Sequence, residues 1–336
     1  MSSNAAIANP SILIVGVPVE TQAEYDQLAK EYHVKFIGKT TNRAELLAAM
    51  KKLVSESDRE FDALVTLTGV PYGKRDQEFL SILGPSLKFF TAMGAGYDSV
   101  DMAYLNRIGA WYCNTPTAPS DGTSTSAVVH ILACIHYLKQ LDSNVRKGLW
   151  TKGIKPCPVA AGFTIGILGM GRIGKLTRDK LSGLRFNIIY HNRTRLSPEE
   201  EKGAKYVSFD ELLAKSQLIC VHASLSTDTH HLLSKKEFEK LTPGVMIVNV
   251  ARGPIVDEEA LVDAMKADIV SYAGLDVFEH EPKVHPYLLE SERTTLSPHW
   301  GWTVGLEGEL EREALANLRD WIQTGNPSNG VNTPKL

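Results

Sequence analysis

Apolar and polar positions along this chain switch between two periods. From Ser11 to about Pro116, short apolar runs (SILIVG, VKFIG, ALVTLT, LKFFTAMG, WYCNTP) are separated by stretches such as NRAELLAAMKKLVSE, where apolar residues recur at helical spacing. The short runs lack the in–out alternation of a half-exposed strand. They predict strands covered on both faces, and the periodic stretches predict the covering helices, which together make a parallel sheet. Asp121 to Lys147 predicts one long helix, with Ala127, Ile131, Cys134 and Leu138 on a common stripe and Gly148 beyond its end. The alternation resumes at Thr164 with TIGIL, NIIYH, LICVHA, VMIVNV, YAGLDV and TTLSP, so a second parallel sheet follows the first. A last helix is predicted from about Leu306 to Thr324, ending at Gly325. The chain has no repeat of solenoid period and no low-complexity linker.

At 336 residues the chain is long enough for two cores. The pattern predicts two doubly wound α/β domains with parallel sheets and a cleft between them. A composition of 43% hydrophobic and 22% charged residues, with no apolar run long enough to span a bilayer, argues against a membrane protein. The start MSSNAAIANP lacks the basic and apolar segments of a secretory signal, and the first arginine is Arg43, which leaves the cytoplasm as the expected location. The C-terminal PKL is close to a peroxisomal tripeptide, but Pro334 stands where a small residue is expected. Cys113, Cys134, Cys157 and Cys220 are far apart and form no pair with metal-ligand spacing; buried free thiols and no metal are expected. A net charge of -3 without a basic block gives no reason to expect nucleic acid. Small molecules are the expected partners.

The stretch IGILGMGRIGK, from Ile165 to Lys175, contains a GxGxxG of Gly169, Gly171 and Gly174 after a predicted strand and at the start of a predicted helix. In a dinucleotide site the first glycine permits a tight turn, the second lets backbone approach the pyrophosphate, and the third allows close helix–strand packing. Arg172 and Ile173, between the glycines, belong to the same phosphate-facing helix start. The next strand ends in IIYHNRTR. Asn192 sits 18 residues past Gly174, where an NAD-binding unit carries the carboxylate for the adenosine ribose. A neutral amide followed by Arg193 and Thr194 would accept a 2'-phosphate that a carboxylate would repel. NADP is therefore the expected cofactor, with NAD possible; a solvated turn with incidental arginines is the alternative.

Three further stretches run from a strand into a loop: VNVARGPIVDEEAL around Arg252, YAGLDVFEHEP around Glu281 and TTLSPHWG around His299. Ligands of open α/β sheets bind beyond the strand C-termini, so these side chains are predicted to converge beside a nicotinamide. Taken singly, each has a plain structural alternative: a surface ion pair, a solvated turn, a capped core histidine.

The ordered set GMGRIG, NVARG, GLDVFEHEP and SPHWG resembles the D-isomer-specific 2-hydroxyacid dehydrogenases, with LKFFTAMGAGYDSVD and NTP as matching elements in the first domain. The resemblance covers nearly the whole chain and is strongest to the NADP-preferring glyoxylate/hydroxypyruvate reductases. It implies a flavodoxin-like substrate domain from residues 1–116 plus 302–336, a Rossmann cofactor domain from 117–301, and a homodimer. It implies NADPH-dependent reduction of 2-oxo acids, with Arg252 as carboxylate clamp, His299 as proton donor and substrate contact, and Glu281 orienting His299 and favouring its imidazolium form. Glyoxylate, hydroxypyruvate or bulkier 2-oxo acids fit this frame. The resemblance also assigns substrate binding to the backbone of Ala95 and Gly96, and cofactor contacts to His222, Ser224, Ala251 and Asp276. Two departures stand out: HASLST lacks the proline of the family's HxP, and Thr125 stands where an acidic residue is usual. The loop LTGVPYG is expected to line the substrate pocket with Val70, Pro71 and Tyr72. Formate dehydrogenases of the family pair the histidine with glutamine, and Glu281 argues against that chemistry. The alternative from another class is a dinucleotide-sensing, corepressor-like binding protein on the same scaffold.

Overall fold

The computed structural model describes residues 7–67, 73–157, 161–301 and 306–334, so Val70, Pro71 and Tyr72 lie outside the described residues. The chain divides into two units, one from Met1–Pro119 and Gly305–Leu336, the other from Ser120–Val304.

The first unit holds five parallel strands: β1 (Ser11–Val15), β2 (His33–Ile37), β3 (Ala63–Thr66), β4 (Phe89–Ala92) and β5 (Trp111–Cys113), in the order β2-β1-β3-β4-β5. This is the flavodoxin-like winding. Every residue of β1, β3 and β4 is buried, as their unbroken apolar runs require, whereas the edge strand β2 is partly exposed. Alternate side chains of β1 enter opposite cores. Leu13 and Val15 pack with Leu64, Phe90 and Tyr112, while Ile12 and Ile14 pack with Val65, Phe89 and Trp321. Trp321 brings the C-terminal helix Glu307–Thr324 into this unit, its ring stacked on Phe89 at 5.0 Å. The fully buried Glu311 of the same helix accepts from the N–H groups of Val19 (2.7 Å), Glu20 (3.2 Å) and Thr21 (3.1 Å) and from the Thr21 hydroxyl (2.6 Å). One buried carboxylate thus satisfies four donors of a single loop.

The second unit holds seven parallel strands: β6 (Thr164–Leu168), β7 (Asn187–His191), β8 (Lys205–Tyr206), β9 (Leu218–Val221), β10 (Val245–Asn249), β11 (Val270–Leu275) and β12 (Thr294–Leu296). Their order, β12-β11-β10-β9-β6-β7-β8, is the Rossmann winding extended by one strand. It reverses between β6 and β9, which are paired neighbours, so the C-terminal ends of these two strands form the switch point.

The long helix expected from Asp121 to Lys147 is two helices. The first, Ala118–Ile135, starts earlier and carries Pro119 in its first turn, where a missing N–H costs nothing. The second spans Leu138–Arg146. Between them Tyr137 takes a left-handed conformation (φ +54°), and its ring stacks on Tyr272 of β11 at 4.6 Å. The Tyr272 hydroxyl donates to Gln140 at 2.5 Å, fixing the start of the second helix. Aromatic packing on the sheet outweighs helical continuity here. Of the four cysteines, Cys113, Cys134 and Cys220 are buried free thiols, and Cys157 is half-buried.

Replacing Glu311 with alanine leaves the buried N–H and hydroxyl of Thr21 without their acceptor. The expected loss is at least about 2 kcal/mol of stability. It should appear as a lower urea midpoint than that of the exposed control Glu309→Ala in the same helix.

Candidate active site

Every predicted chemical residue of the second unit stands in a turn that follows the C-terminal end of a parallel strand, or, for Arg172, Ile173 and Gly174, in the first turn of the helix beyond it. After β6, Gly169 takes φ +96°, and a Cβ there would sit 2.5 Å from the backbone nitrogen of Ala223, in the turn after β9. A Cβ on Gly174 would lie 2.6 Å from the Gly169 carbonyl oxygen. Both glycines are required by backbone packing. Gly171 is different: its missing side chain faces open space, with nothing within 4 Å. It caps the helix Arg172–Leu181 without a side-chain hydrogen bond, so the N–H groups of Arg172, Ile173 and Gly174 receive no side-chain cap. An open approach to an uncapped helix start fits the pyrophosphate of a dinucleotide.

After β7, the side-chain oxygen of Asn192 accepts from the Met170 N–H at 2.6 Å and braces the Gly-rich turn. Arg193 and Thr194 are exposed, and neither makes a hydrogen bond or ion pair among the described residues. Arg195, the second arginine of IIYHNRTR, is held by Glu201, with Nε to Oε1 at 2.8 Å and a terminal nitrogen to Oε2 at 3.1 Å. Half of the apparent basic cluster is thus an ion pair.

After β10, the side chain of Asn249 shapes the next turn from both ends, accepting from Ala251 N–H (3.0 Å) and donating to the Arg252 carbonyl (2.9 Å). Arg252 lies half-buried, one terminal nitrogen donating to the Ala251 carbonyl at 2.7 Å. A Cβ on Gly253 would meet the Phe278 carbonyl carbon at 1.9 Å, so this turn lies directly against the loop after β11. That loop carries Glu281, whose Oε1 accepts from Phe278 N–H at 3.0 Å and whose Oε2 meets His299 Nδ1 at 3.0 Å. Burial pushes the Glu281 carboxyl upward, but the hydrogen bond and charge of His299, the Phe278 N–H and the Arg252 charge outweigh it and hold the group below its usual range.

Asp276, the first residue after β11, is 1% exposed. Its Oδ1 accepts from Trp300 N–H (2.8 Å) and from the Ser297 hydroxyl, and its Oδ2 accepts from Gly301 N–H (3.0 Å). The Asp276 carbonyl also accepts from His299 N–H at 2.7 Å. Ser297 in turn meets Nε2 of the buried His130 at 2.8 Å, and Thr295 meets Nδ1 at 3.0 Å. The single proton of the Ser297 hydroxyl goes to Asp276, so His130 donates from Nε2; in the neutral ring Nδ1 then accepts from the Thr295 hydroxyl. Burial, which lowers the His130 pKa against the opposing charge of Asp276, favours that same state. Sequence reading assigned no role to His130, Ser297 or Asn249. The available signals were a histidine inside the apolar helical run AVVHILACI and an asparagine closing the apolar strand VMIVN.

His222 donates its backbone N–H to Leu168 (2.8 Å), and its Nε2 lies 3.2 Å from Cys220 Sγ; burial pushes this imidazole down to about 4. Ser224 is exposed, and its carbonyl accepts from Thr229 at 2.7 Å. Thr125 accepts from Lys180 Nζ at 2.6 Å. In the first unit, the turn after β4 is shaped by Asn114 donating to the Ala95 carbonyl (2.7 Å) and by Thr115 accepting from Gly94 N–H (2.7 Å). The N–H groups of Ala95 and Gly96 take no partner among the described residues.

Residues 128–301 match the family model for the NAD binding domain of the D-isomer specific 2-hydroxyacid dehydrogenases. Glyoxylate reductase 1 of Saccharomyces cerevisiae is 32% identical over 324 residues, covering 94% of this chain and 93% of that protein. The crystal structure of a glyoxylate reductase from Paecilomyes thermophila superposes with a TM-score of 0.88 at 35% identity, covering 97% of this chain and 99% of that one. The NADPH-dependent glyoxylate/hydroxypyruvate reductase of Sinorhizobium meliloti, solved with NADP and malonate, gives 0.79 at 26% identity, with 97% and 98% covered. The chain belongs to the D-isomer specific 2-hydroxyacid dehydrogenase family and is an NAD(P)-dependent oxidoreductase.

Proposed function

We propose that the protein reduces small 2-oxo acids, glyoxylate and hydroxypyruvate foremost, to D-2-hydroxy acids with NADPH. The unit with the Gly-rich turn would be the cofactor domain and the other the substrate domain. The observation that carries the reading is the Glu281 carboxylate, tied by one oxygen to its own loop and by the other to His299 Nδ1, with the charge of Arg252 close enough to act on it.

When bound, the reduced nicotinamide supplies a hydride to C2 of the 2-oxo acid. His299 supplies the proton: with Nδ1 engaged by Glu281, Nε2 is the atom that faces the developing alkoxide and protonates it. Arg252 offers a planar fork to the substrate carboxylate. Ala95 and Gly96 keep their expected part in substrate binding through backbone N–H groups. Asp276 acts as a positioning residue for the His299 loop, and Ala251, His222 and Ser224 belong to the turns that border the cofactor. The coenzyme preference rests on the neutral Asn192 and the uncommitted guanidinium of Arg193, which together favour a 2'-phosphate over a bare ribose. The NADP-bound relative supports the same preference. A homodimer is supported by the exposed apolar residues of the helix pair and the loop after it: Val129 (59%), Val145 (60%) and Trp150 (73%).

His299→Ala should lower turnover by roughly 10² to 10⁴-fold while leaving NADPH affinity near wild type, since a general acid acts in the transition state. Retention of more than half the turnover would remove His299 from the mechanism. Because its carboxyl is held low, Glu281 stays ionised into mildly acidic solution. The stabilisation from the pair is present above the ordinary value of about 4.3 and is lost as pH falls through the lower folded value. Glu281→Gln should move the pH profile of 2-oxo acid reduction to lower pH, because the imidazolium loses its carboxylate; an unmoved profile would make Glu281 purely structural.

Arg193→Ala should cost NADPH about ten to a hundred-fold in affinity and leave NADH unchanged, the worth of about 1.5 to 3 kcal/mol of charge-assisted hydrogen bonding. Asn192→Asp keeps the acceptor for Met170 N–H and adds a charge that repels the 2'-phosphate, so the double variant should erase or reverse the preference. The measurement is kcat/KM for both coenzymes at saturating glyoxylate. Equal losses for the two coenzymes would make the cluster an incidental surface turn.

Sedimentation of the wild type should give a dimer, and Val145→Glu with Trp150→Glu should shift it toward monomer. A monomeric wild type would refute the assembly.

A further inference from the structure

Three side chains outside the proposed catalytic set converge in the second unit. His230, His231 and Glu279 each place one ligand atom within 4.8 Å of the other two. Successive residues of an extended chain point to opposite sides, so adjacent histidines normally diverge. Here His231 takes φ +51°, a conformation that residues with a Cβ adopt reluctantly, and it turns both imidazoles to the same side with ring centroids 4.1 Å apart.

Each member is anchored. His231 N–H donates to the Pro254 carbonyl at 2.8 Å. The Glu279 N–H donates to Glu258 Oε2 (3.2 Å), while Glu279 Oε2 accepts from Glu258 N–H (3.0 Å), leaving Oε1 to face His231 Nε2 at 2.7 Å. The other nitrogen of His231, Nδ1, lies 3.7 Å from Asp257 Oδ2. Asp257 acts there by charge rather than as a hydrogen-bond partner, on the side from which a carboxylate usually supports a metal-binding imidazole. His230 is exposed and gives an ion a path in.

We propose that His230, His231 and Glu279 form a binding site for a divalent transition metal of the zinc class, water completing the coordination. Two imidazole nitrogens and one carboxylate oxygen suit zinc, cobalt or nickel, whereas calcium and magnesium select all-oxygen sites. Metal–ligand bonds of about 2.0–2.1 Å place tetrahedral neighbours about 3.3 Å apart. The His231–Glu279 contact therefore opens by roughly half an ångström to admit the ion, and His230 closes in by a side-chain rotation. The ion would clip the turn after β9 to the loop after β11. The site is independent of the catalytic reading.

The test uses tag-free, full-length protein stripped with EDTA and titrated with Co²⁺, followed by visible absorption, then displaced with Zn²⁺. Wild type should bind one Co²⁺ per chain with the intense visible bands of a low-symmetry site and release it to Zn²⁺. His230→Ala and Glu279→Gln should each weaken binding by about tenfold or more, while His136→Ala, an exposed histidine outside the cluster, should bind as wild type. His230 is exposed, so its variant reports on the site even if Glu279→Gln fails to fold. Unchanged binding in His230→Ala, or wild-type affinity weaker than about 100 µM, would overturn the proposal and leave the cluster a His231–Glu279 ion pair.

Discussion

The buried carboxylate of Asp276 is the point on which the candidate site turns. It gathers the N–H groups of Trp300 and Gly301 and the hydroxyl of Ser297, while its own main-chain carbonyl takes the N–H of His299. The loop after β12 is thus wound around one residue of β11's end, and His299 is held at φ +53°, a backbone state that needs such over-determination. Behind Asp276 stands a neutral His130 that passes order from the helix Ala118–Ile135 through Ser297. Without the carboxylate, the buried N–H of Gly301 would lose its acceptor, at about 1–3 kcal/mol, and the imidazole would lose its aim.

The second constraint is backbone proximity. Gly253 lets the turn carrying Arg252 lie against Phe278 and Glu279, and Gly169 and Gly174 let β6, its helix and the turn after β9 close on one another. Hydrogen bonds set the direction of the chemical groups, and these missing side chains set their separation. A glycine-to-alanine change at 253 would therefore act on Glu281 without touching it.

The same loop faces two ways. Glu281 turns toward His299, while Glu279, two residues earlier, turns toward His231 and the reciprocal pair with Glu258. Anything that stiffens Glu279 acts on a segment whose other end sets the position of the proposed orienting carboxylate. This coupling follows from chain connectivity and requires no long-range path.

By itself, the sequence determined the two parallel sheets, because short unbroken apolar runs alternating with helical patterns suit strands covered on both faces, and it determined the Gly-rich turn, because strand, glycine spacing and helix are all local. It also placed Arg252, Glu281 and His299 after successive strands of one sheet, which the winding then puts on one edge. Tertiary structure decided the rest. The two-residue strand β8 is too short for a periodic signal, and the break at Tyr137 comes from stacking on Tyr272, more than a hundred residues away in the chain. Arg193 and Arg195 look alike in IIYHNRTR, yet only Arg195 has Glu201 beside it. His130 reads as one more core position on an apolar helix until Thr295 and Ser297 arrive from β12. Composition and periodicity report what a residue needs locally, whereas the partner that meets a polar side chain is chosen by which strands the fold makes neighbours.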